Sequence, residues 1–236
     1  MLINTPVIVL KSFNYNDNSI IARCFSKDKG KISFIVKGVY SKKSSKFAQF
    51  QPLNYLDVIY RHNPKRDLQI LHKVNFKESW TKITTELTSI TLAMTILELT
   101  DKSLSFEDPH PNLFKILVKV LRAYNNKDLD PNLLFWFYEC SLLKDLGFRP
   151  SLENDHLMEM KLVDPNSGIK SNQILSKLLT EDISNLTIQK IEPKDRKVIS
   201  DYLWGLMLYH VEGMENIKSM NVTRDIMMGI KSFKNK

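Results

Sequence analysis

The sequence predicts an α+β protein: a small closed barrel of five strands, then an all-helical region interrupted by a short irregular insertion. Two periodicities predict it. Over roughly the first 80 residues apolar side chains alternate with polar ones between turn signals, the period of a strand. From Lys77 onward they recur every three or four residues, the period of a helix. Charge adds a third observation. Residues 1–82 hold fifteen lysines and arginines against five acids, an excess of ten, whereas the rest of the chain has a small acidic excess.

The first strand spans Thr5 to Phe13 around Val7, Ile8, Val9 and Leu10, and Ser19 to Phe25 follows a polar turn. Lys27-Asp28-Lys29-Gly30 turns the chain into Lys31–Val39, where Ile32, Phe34 and Val36 share one face. Asn54 to Arg61 is the fourth strand, and a fifth runs from near Leu68 to near Phe76, with the turn dipeptide Asn63-Pro64 between them. Five short strands so closely spaced suggest a closed barrel.

The helical pattern opens at Lys77 and runs to Ser103 along Trp80, Ile83, Leu87, Ile90, Met94 and Leu97. Pro111 starts a second helix, with Leu113, Leu117, Leu121 and Tyr124 on one face. Asp130 is the N-cap and Pro131 the first residue of a third, ended by Gly147. Residues 151–172 are irregular, Ile174 to Leu186 is a short helix, and Pro193 begins a last long helix that ends near Gly213. The expected domains are 1–78 and 79–236.

Hydrophobic residues make up 43% and charged residues 25%, a globular composition. A net charge of +8, placed almost wholly in one third of the chain, points to a polyanionic partner. Between Arg23 and Phe50, basic Arg23, Lys27, Lys29, Lys31, Lys37, Lys42, Lys43 and Lys46 interleave with aromatic residues. Lysines neutralise phosphates without reading sequence, and exposed aromatic rings stack on unpaired bases. Phe34 belongs to the core by its alternation with Ile32 and Val36, so Tyr40 is the stacking candidate. The stretch 41–46 is either a DNA contact or a solvated loop. The near-neutral helical region is a surface for protein partners.

Enzyme signatures are absent. There is no phosphate-binding Gly-Lys-Ser/Thr loop, no glycine-rich dinucleotide fingerprint and no Gly-x-Ser-x-Gly elbow. Carboxylates in the basic third are single and scattered, which argues against a metal-dependent hydrolase. None of the five histidines forms a metal-binding pair at helical spacing. His156 with Asp155 and Glu159 reads as a polar loop, and His210 as a packing residue. Cys24 and Cys140 are far apart and read as buried thiols. The start has no signal-peptide pattern and no apolar run approaches 18 residues, so the expected location is the cytoplasm.

Specific residues carry a resemblance. Val7-Ile8-Val9-Leu10-Lys11, Tyr15, Ile20-Ile21, Gly30-Lys31, Val36-Lys37-Gly38-Val39 and Gln51-Pro52-Leu53 resemble the opening of the RecO family. Leu146-Gly147-Phe148 with Pro150, then Tyr209-His210, Gly213 and Lys218-Ser219, are similar to its later landmarks. The resemblance implies an OB-fold barrel followed by a helical domain. It implies binding of single- and double-stranded DNA and annealing without ATP. It implies partnership with RecR and with the acidic tail of single-stranded DNA-binding protein, and through them loading of RecA, at the nucleoid. Lys218 and Arg224 are the candidate rim for that tail. Many members carry a four-cysteine zinc module after the Leu-Gly landmark. Residues 149–190 here contain no cysteine, and Ser151, Asn154 or Asp155 cannot replace thiolates. This copy is expected to be metal-free, with packing around Leu157, Met160, Leu162 and Val163 in its place. The rival binding function is an RNA- or ribosome-associated OB-fold protein.

Overall fold

The computed structural model describes all residues except 42–43, 128, 154–159, 181, 187–190, 221–222 and 224–236. It divides into two compact units, Met1–Lys115 and Ile116–Lys236.

Five strands build the first unit: β1 (Leu2–Asn16), β2 (Ser19–Ser26), β3 (Gly30–Lys37), β4 (Tyr55–Arg61) and β5 (Leu68–Glu78). They close in the order β1-β2-β3-β5-β4, with β4 back against β1. Every pairing is antiparallel except β3 with β5, which is parallel and joins only Ser33, Phe34 and Ile35 to Leu68, Gln69 and Ile70. This is the five-stranded OB-type barrel. The alternating positions fill it: Val7 and Val9, Ile20, Ala22 and Cys24, Ile32, Phe34 and Val36, Leu56, Val58 and Tyr60 all face inward. A two-residue period sends alternate side chains to opposite faces. Phe34 meets Tyr60 edge-on at 5.2 Å.

The intervening residues would face water in a bare barrel, yet Ile8, Leu10, Ile21, Phe25 and Ser33 are buried as well. The chain after β5 covers them. Trp80 stacks on Tyr55 at 6.0 Å, and Phe114 meets both Phe25 and Tyr55 edge-on. Helix α2 (Leu87–Ser103) packs on β1. Burial on both faces explains why β1 and β2 read as nearly continuous apolar runs.

The short helix α1 (Lys46–Gln49) lies in the β3–β4 connection. Helices α3 (Pro111–Asn126), α4 (Pro131–Asp145), α5 (Ser171–Thr180) and α6 (Pro193–His210) follow α2. α4 has no polar face: Leu133 to Cys140 are buried without interruption. It packs against α5 and α6, with the Trp136 indole donating to Ser200 Oγ at 3.2 Å. Asp130 caps α4 by accepting from the Asn132 N–H at 2.8 Å and also binds Arg196 at 2.7 Å. Gly147, at φ +88°, ends α4, with the Phe148 N–H reaching the Leu143 carbonyl and the Gly147 N–H that of Lys144. That pair of bonds satisfies the last carbonyls of the helix.

Two expected boundaries shift, and one expected packing cluster loses a member. The helix expected from Lys77 starts at Leu87, because Glu78 still pairs with Tyr55 in the sheet and Trp80 is drawn onto the barrel wall. The helix expected over Ile174–Leu186 is Ser171–Thr180 followed by a separate turn at Ile183–Asn185, which Asp182 caps through the Ser184 N–H. In the insertion, Met160 and Leu162 are partly buried, but Val163 is 37% exposed and leaves the expected packing cluster; Leu157 lies outside the described residues.

Candidate nucleic-acid interface

The basic residues singled out in sequence do not form one surface. Lys27 and Lys29 sit in the β2–β3 turn, whose Ser26 Oγ accepts from the Asp28 and Lys29 N–H groups. Lys37 ends β3 and Tyr40 and Lys46 follow it, about 25 Å away by the rise of an extended strand. The turn at the first end is fixed by Gly30, at φ +65°, where a Cβ would fall 1.9 Å from the Asp108 carbonyl oxygen.

Arg23 and Lys31 belong to neither end. Both face outward on their strands but lie beneath the chain that follows the barrel, where they converge on Asp101 of α2. Lys11 approaches its carboxylate at 2.7 Å, Arg23 at 3.1 Å and Lys31 at 3.8 Å. Lys31 also donates to the Asp101 carbonyl at 2.5 Å, and its side chain is only 7% exposed. Phe106 lies over both cations, 5.0 Å from the Arg23 guanidinium and 4.7 Å from the Lys31 ammonium. Burial pushes the Asp101 carboxyl up. The hydrogen bond from Lys11 and the Arg23 charge outweigh that and hold it below the usual carboxylate range. Burial also lowers Lys31, more than Asp101 raises it, so the shorter Lys11 and Arg23 contacts carry the pairing. Arg23, about a quarter exposed, and Lys31, almost wholly buried, are thus drawn onto one carboxylate, whereas the sequence reading expects both as solvent-facing phosphate ligands.

The Lys37 end gathers exposed rings and cations. Tyr40 is 48% exposed and Phe47 45%, their rings 5.5 Å apart. The Tyr40 hydroxyl donates to Asn14 Oδ1 at 2.6 Å, which orients the ring. Lys46 reaches across to the Lys37 carbonyl at 3.1 Å. Beside them a cleft of about 390 Å³ opens between β3 and β5, where their pairing stops; Lys37, Lys46, His72 and Lys73 line it. Lys42 and Lys43 lie outside the described residues, as do Arg224 and the Asp155, His156 and Glu159 group. Lys218 is exposed.

Sequence reading counts Phe47 among the aromatic residues interleaved with the basic ones but misses His72 and Lys73. Nothing local announces these two, because it is the parallel pairing of Ile35 with Ile70 that brings them beside Lys37.

In the second unit His210 is a packing residue, stacked on Phe148 at 4.3 Å, and burial lowers its imidazole below the ordinary value. Both cysteines are buried, and burial pushes each thiol well up. Neither suits a zinc-bound thiolate, and a four-cysteine set cannot be drawn from two. Among the described residues no three His, Cys, Asp or Glu side chains are grouped to hold a metal ion. No described helix is long and apolar enough to cross a membrane.

Residues 1–80 match the family model described as Recombination protein O N terminal, and residues 84–220 the one described as Recombination protein O C terminal. Among named relatives, the DNA repair protein RecO of Salinibacter ruber is 32% identical over 64% of this chain and 58% of its own length. That of Flavobacterium psychrophilum is 27% identical over 96% of this chain and 99% of its own. That of Clostridium perfringens is 29% identical over 68% of this chain and 65% of its own.

Proposed function

The chain belongs to the RecO family, and from that premise we propose that it is a DNA repair and recombination mediator rather than an enzyme. It binds single- and double-stranded DNA, anneals complementary strands without ATP and, with RecR, helps load RecA at the nucleoid in the cytoplasm. The observation that carries the reading is the surface joining Lys37, Lys46 and Lys73 to two half-exposed rings, Tyr40 and Phe47.

Cations without a fixed hydrogen-bond pattern hold phosphates of any sequence, by releasing the counterions condensed on the strand. Two strands bound on one such surface repel each other less, which favours their pairing and needs no nucleotide hydrolysis. Tyr40 and Phe47 offer π-faces to unpaired bases, each stack contributing about 1–3 kcal/mol. Lys42 and Lys43 continue the same basic stretch in sequence. The turn lysines, Lys27 and Lys29, form a separate basic point at the far end. The acidic tail of single-stranded DNA-binding protein is a second partner, taken up by the helical unit with exposed Lys218 as a contact; Arg224, the other candidate from the sequence, lies outside the described residues.

The test is affinity for a fluorescent single strand across a salt series without ATP, followed by an annealing assay. Binding should weaken linearly with the logarithm of salt. Replacing Lys37 and Lys46 by Gln should flatten that slope by about 1.4 and lower affinity about 25-fold at 0.1 M salt, at about 0.7 counterion per contact. An unchanged slope in that variant would remove this surface from the reading. Preference for structured RNA over single-stranded DNA would replace DNA repair with the RNA-associated alternative.

A further inference from the structure

In five-stranded barrels of this topology, polymers ordinarily cross the face of β2 and β3. That face is closed here. Phe25, Lys31 and Ser33 are buried under Phe106 and Phe114, and the segment at 106–107 bonds to the edge of β3, the Glu107 N–H donating to the Lys31 carbonyl at 3.0 Å.

The open side lies elsewhere. A larger hollow, about 1080 Å³, begins at the β4–β5 loop between Arg61, Asn63 and Arg66 and ends over Ile70, Leu71 and His72. The cleft beside Lys37 shares those last three residues. The two make one trough along β5, and from Leu68 to Lys73 it runs about 17 Å at the rise of a strand. Its floor is apolar at Ile70, which is 46% exposed. Its rims carry Arg61 and Arg66 at one end and Lys37, Lys46 and Lys73 at the other, with no carboxylate in its lining. Among the described residues, Lys37, Lys73, Arg61 and Arg66 form no ion pair, in contrast to Lys11, Arg23 and Lys31, which are gathered on Asp101.

We infer that single-stranded DNA crosses this barrel along the β3–β5 trough, from the β4–β5 loop to the β3–β4 connection. The inference rests on the DNA-binding reading and specifies its path. Five unneutralised cations match a polyphosphate chain. A single strand bends freely enough to follow the curved wall of a barrel, whereas a duplex, stiff over roughly 150 base pairs, does not. Duplex DNA then touches only the Lys37 end. At about 3.4 Å per nucleotide of a stacked strand the trough holds about 5 nucleotides, the short end of the roughly 4–16 that one such fold occupies.

The test compares the full chain with the triple variant Arg61→Gln, Arg66→Gln, Lys73→Gln. A charge-matched control replaces exposed Lys144, Lys194 and Lys197 of the helical unit by Gln. The readout is anisotropy of a labelled oligothymidylate of about 16 nucleotides, and of a duplex of equal length, across a salt series. The trough variant should lose about a hundredfold in single-strand affinity at 0.1 M salt and flatten its slope by about 2. The control should change little, and the duplex should lose less than the single strand. All three substituted side chains are exposed, so the melting temperature should stay near that of the unmodified protein. A trough variant no weaker than the control, on a protein that does bind DNA, overturns the path and leaves DNA binding standing. Equal losses on single strand and duplex overturn the single-strand assignment. No binding by the unmodified protein at low salt removes both readings.

Discussion

Replacing Asp101 by Asn tests how the barrel is joined to the helix that covers it. The carboxylate is 4% exposed and is the shared partner of Lys11, Arg23 and Lys31. Asn keeps one oxygen for Arg23 but no charge, leaving cations that repel one another. Breaking a buried ion pair from one side costs about 3–5 kcal/mol; with Lys11 44% exposed and free to turn to water, the lower figure applies. Unfolding the 115 residues of the first unit gains about 0.24 kcal/mol per kelvin at about 2.1 cal/mol/K per residue, so 3 kcal/mol lowers its melting temperature by about 12 °C. The assay is thermal unfolding followed by circular dichroism at neutral pH. Adding Lys31→Met to the Asn variant should recover part of the loss, since it removes the most buried cation. The pH dependence has a definite sign. Because the folded carboxyl titrates below its ordinary value, its contribution is complete above about pH 4 and is lost as pH falls through the depressed value. A drop under about 4 °C, or an equal drop on replacing the exposed Lys11 with Met, would refute the reasoning.

Two further outcomes follow from the packing. Gly30→Ala meets both a left-handed backbone and the Asp108 carbonyl at 1.9 Å, so it should cost at least about 2 kcal/mol in chemical unfolding, whereas Gly38→Ala, with open space around it, should cost less. His210 titrates below its ordinary value because it is half-buried, stacked on Phe148, so its contribution is complete above about pH 6.5 and falls as pH drops through the lowered value; His210→Phe should flatten that part of the stability profile of the second unit.

The barrel is legible in the sequence because its signals are local. Ile32, Phe34 and Val36 keep strict alternation, and turn residues stand at 27–30 and 63–64. The caps of α4 are local too: Asp130 bonds two residues ahead and Gly147 takes the left-handed turn itself. Alternation also says which side chains leave the barrel, but not what waits outside. Arg23 and Lys31 have the parity of surface residues; it takes Asp101, seventy residues beyond Lys31, together with Phe106, to draw them under cover. Likewise Lys37 and Lys73 are far apart in the chain and become neighbours through a parallel pairing three residues long. The candidate site was legible as composition and illegible as a surface, because long-range pairing decides which charges share a face.

The wall formed by β1, β2 and β3 has its cladding encoded downstream. The first family model stops at residue 80, whereas Ile83, α2, Phe106 and Phe114 close the outer wall. A chimera of two relatives joined near residue 80 would set a foreign wall against unmatched cladding, and a fragment cut there would bare Phe25 and Tyr55 to aggregation. Recombination between such genes should preserve fold and charge pairing best when the crossover falls beyond residue 115, so that barrel and covering are inherited together.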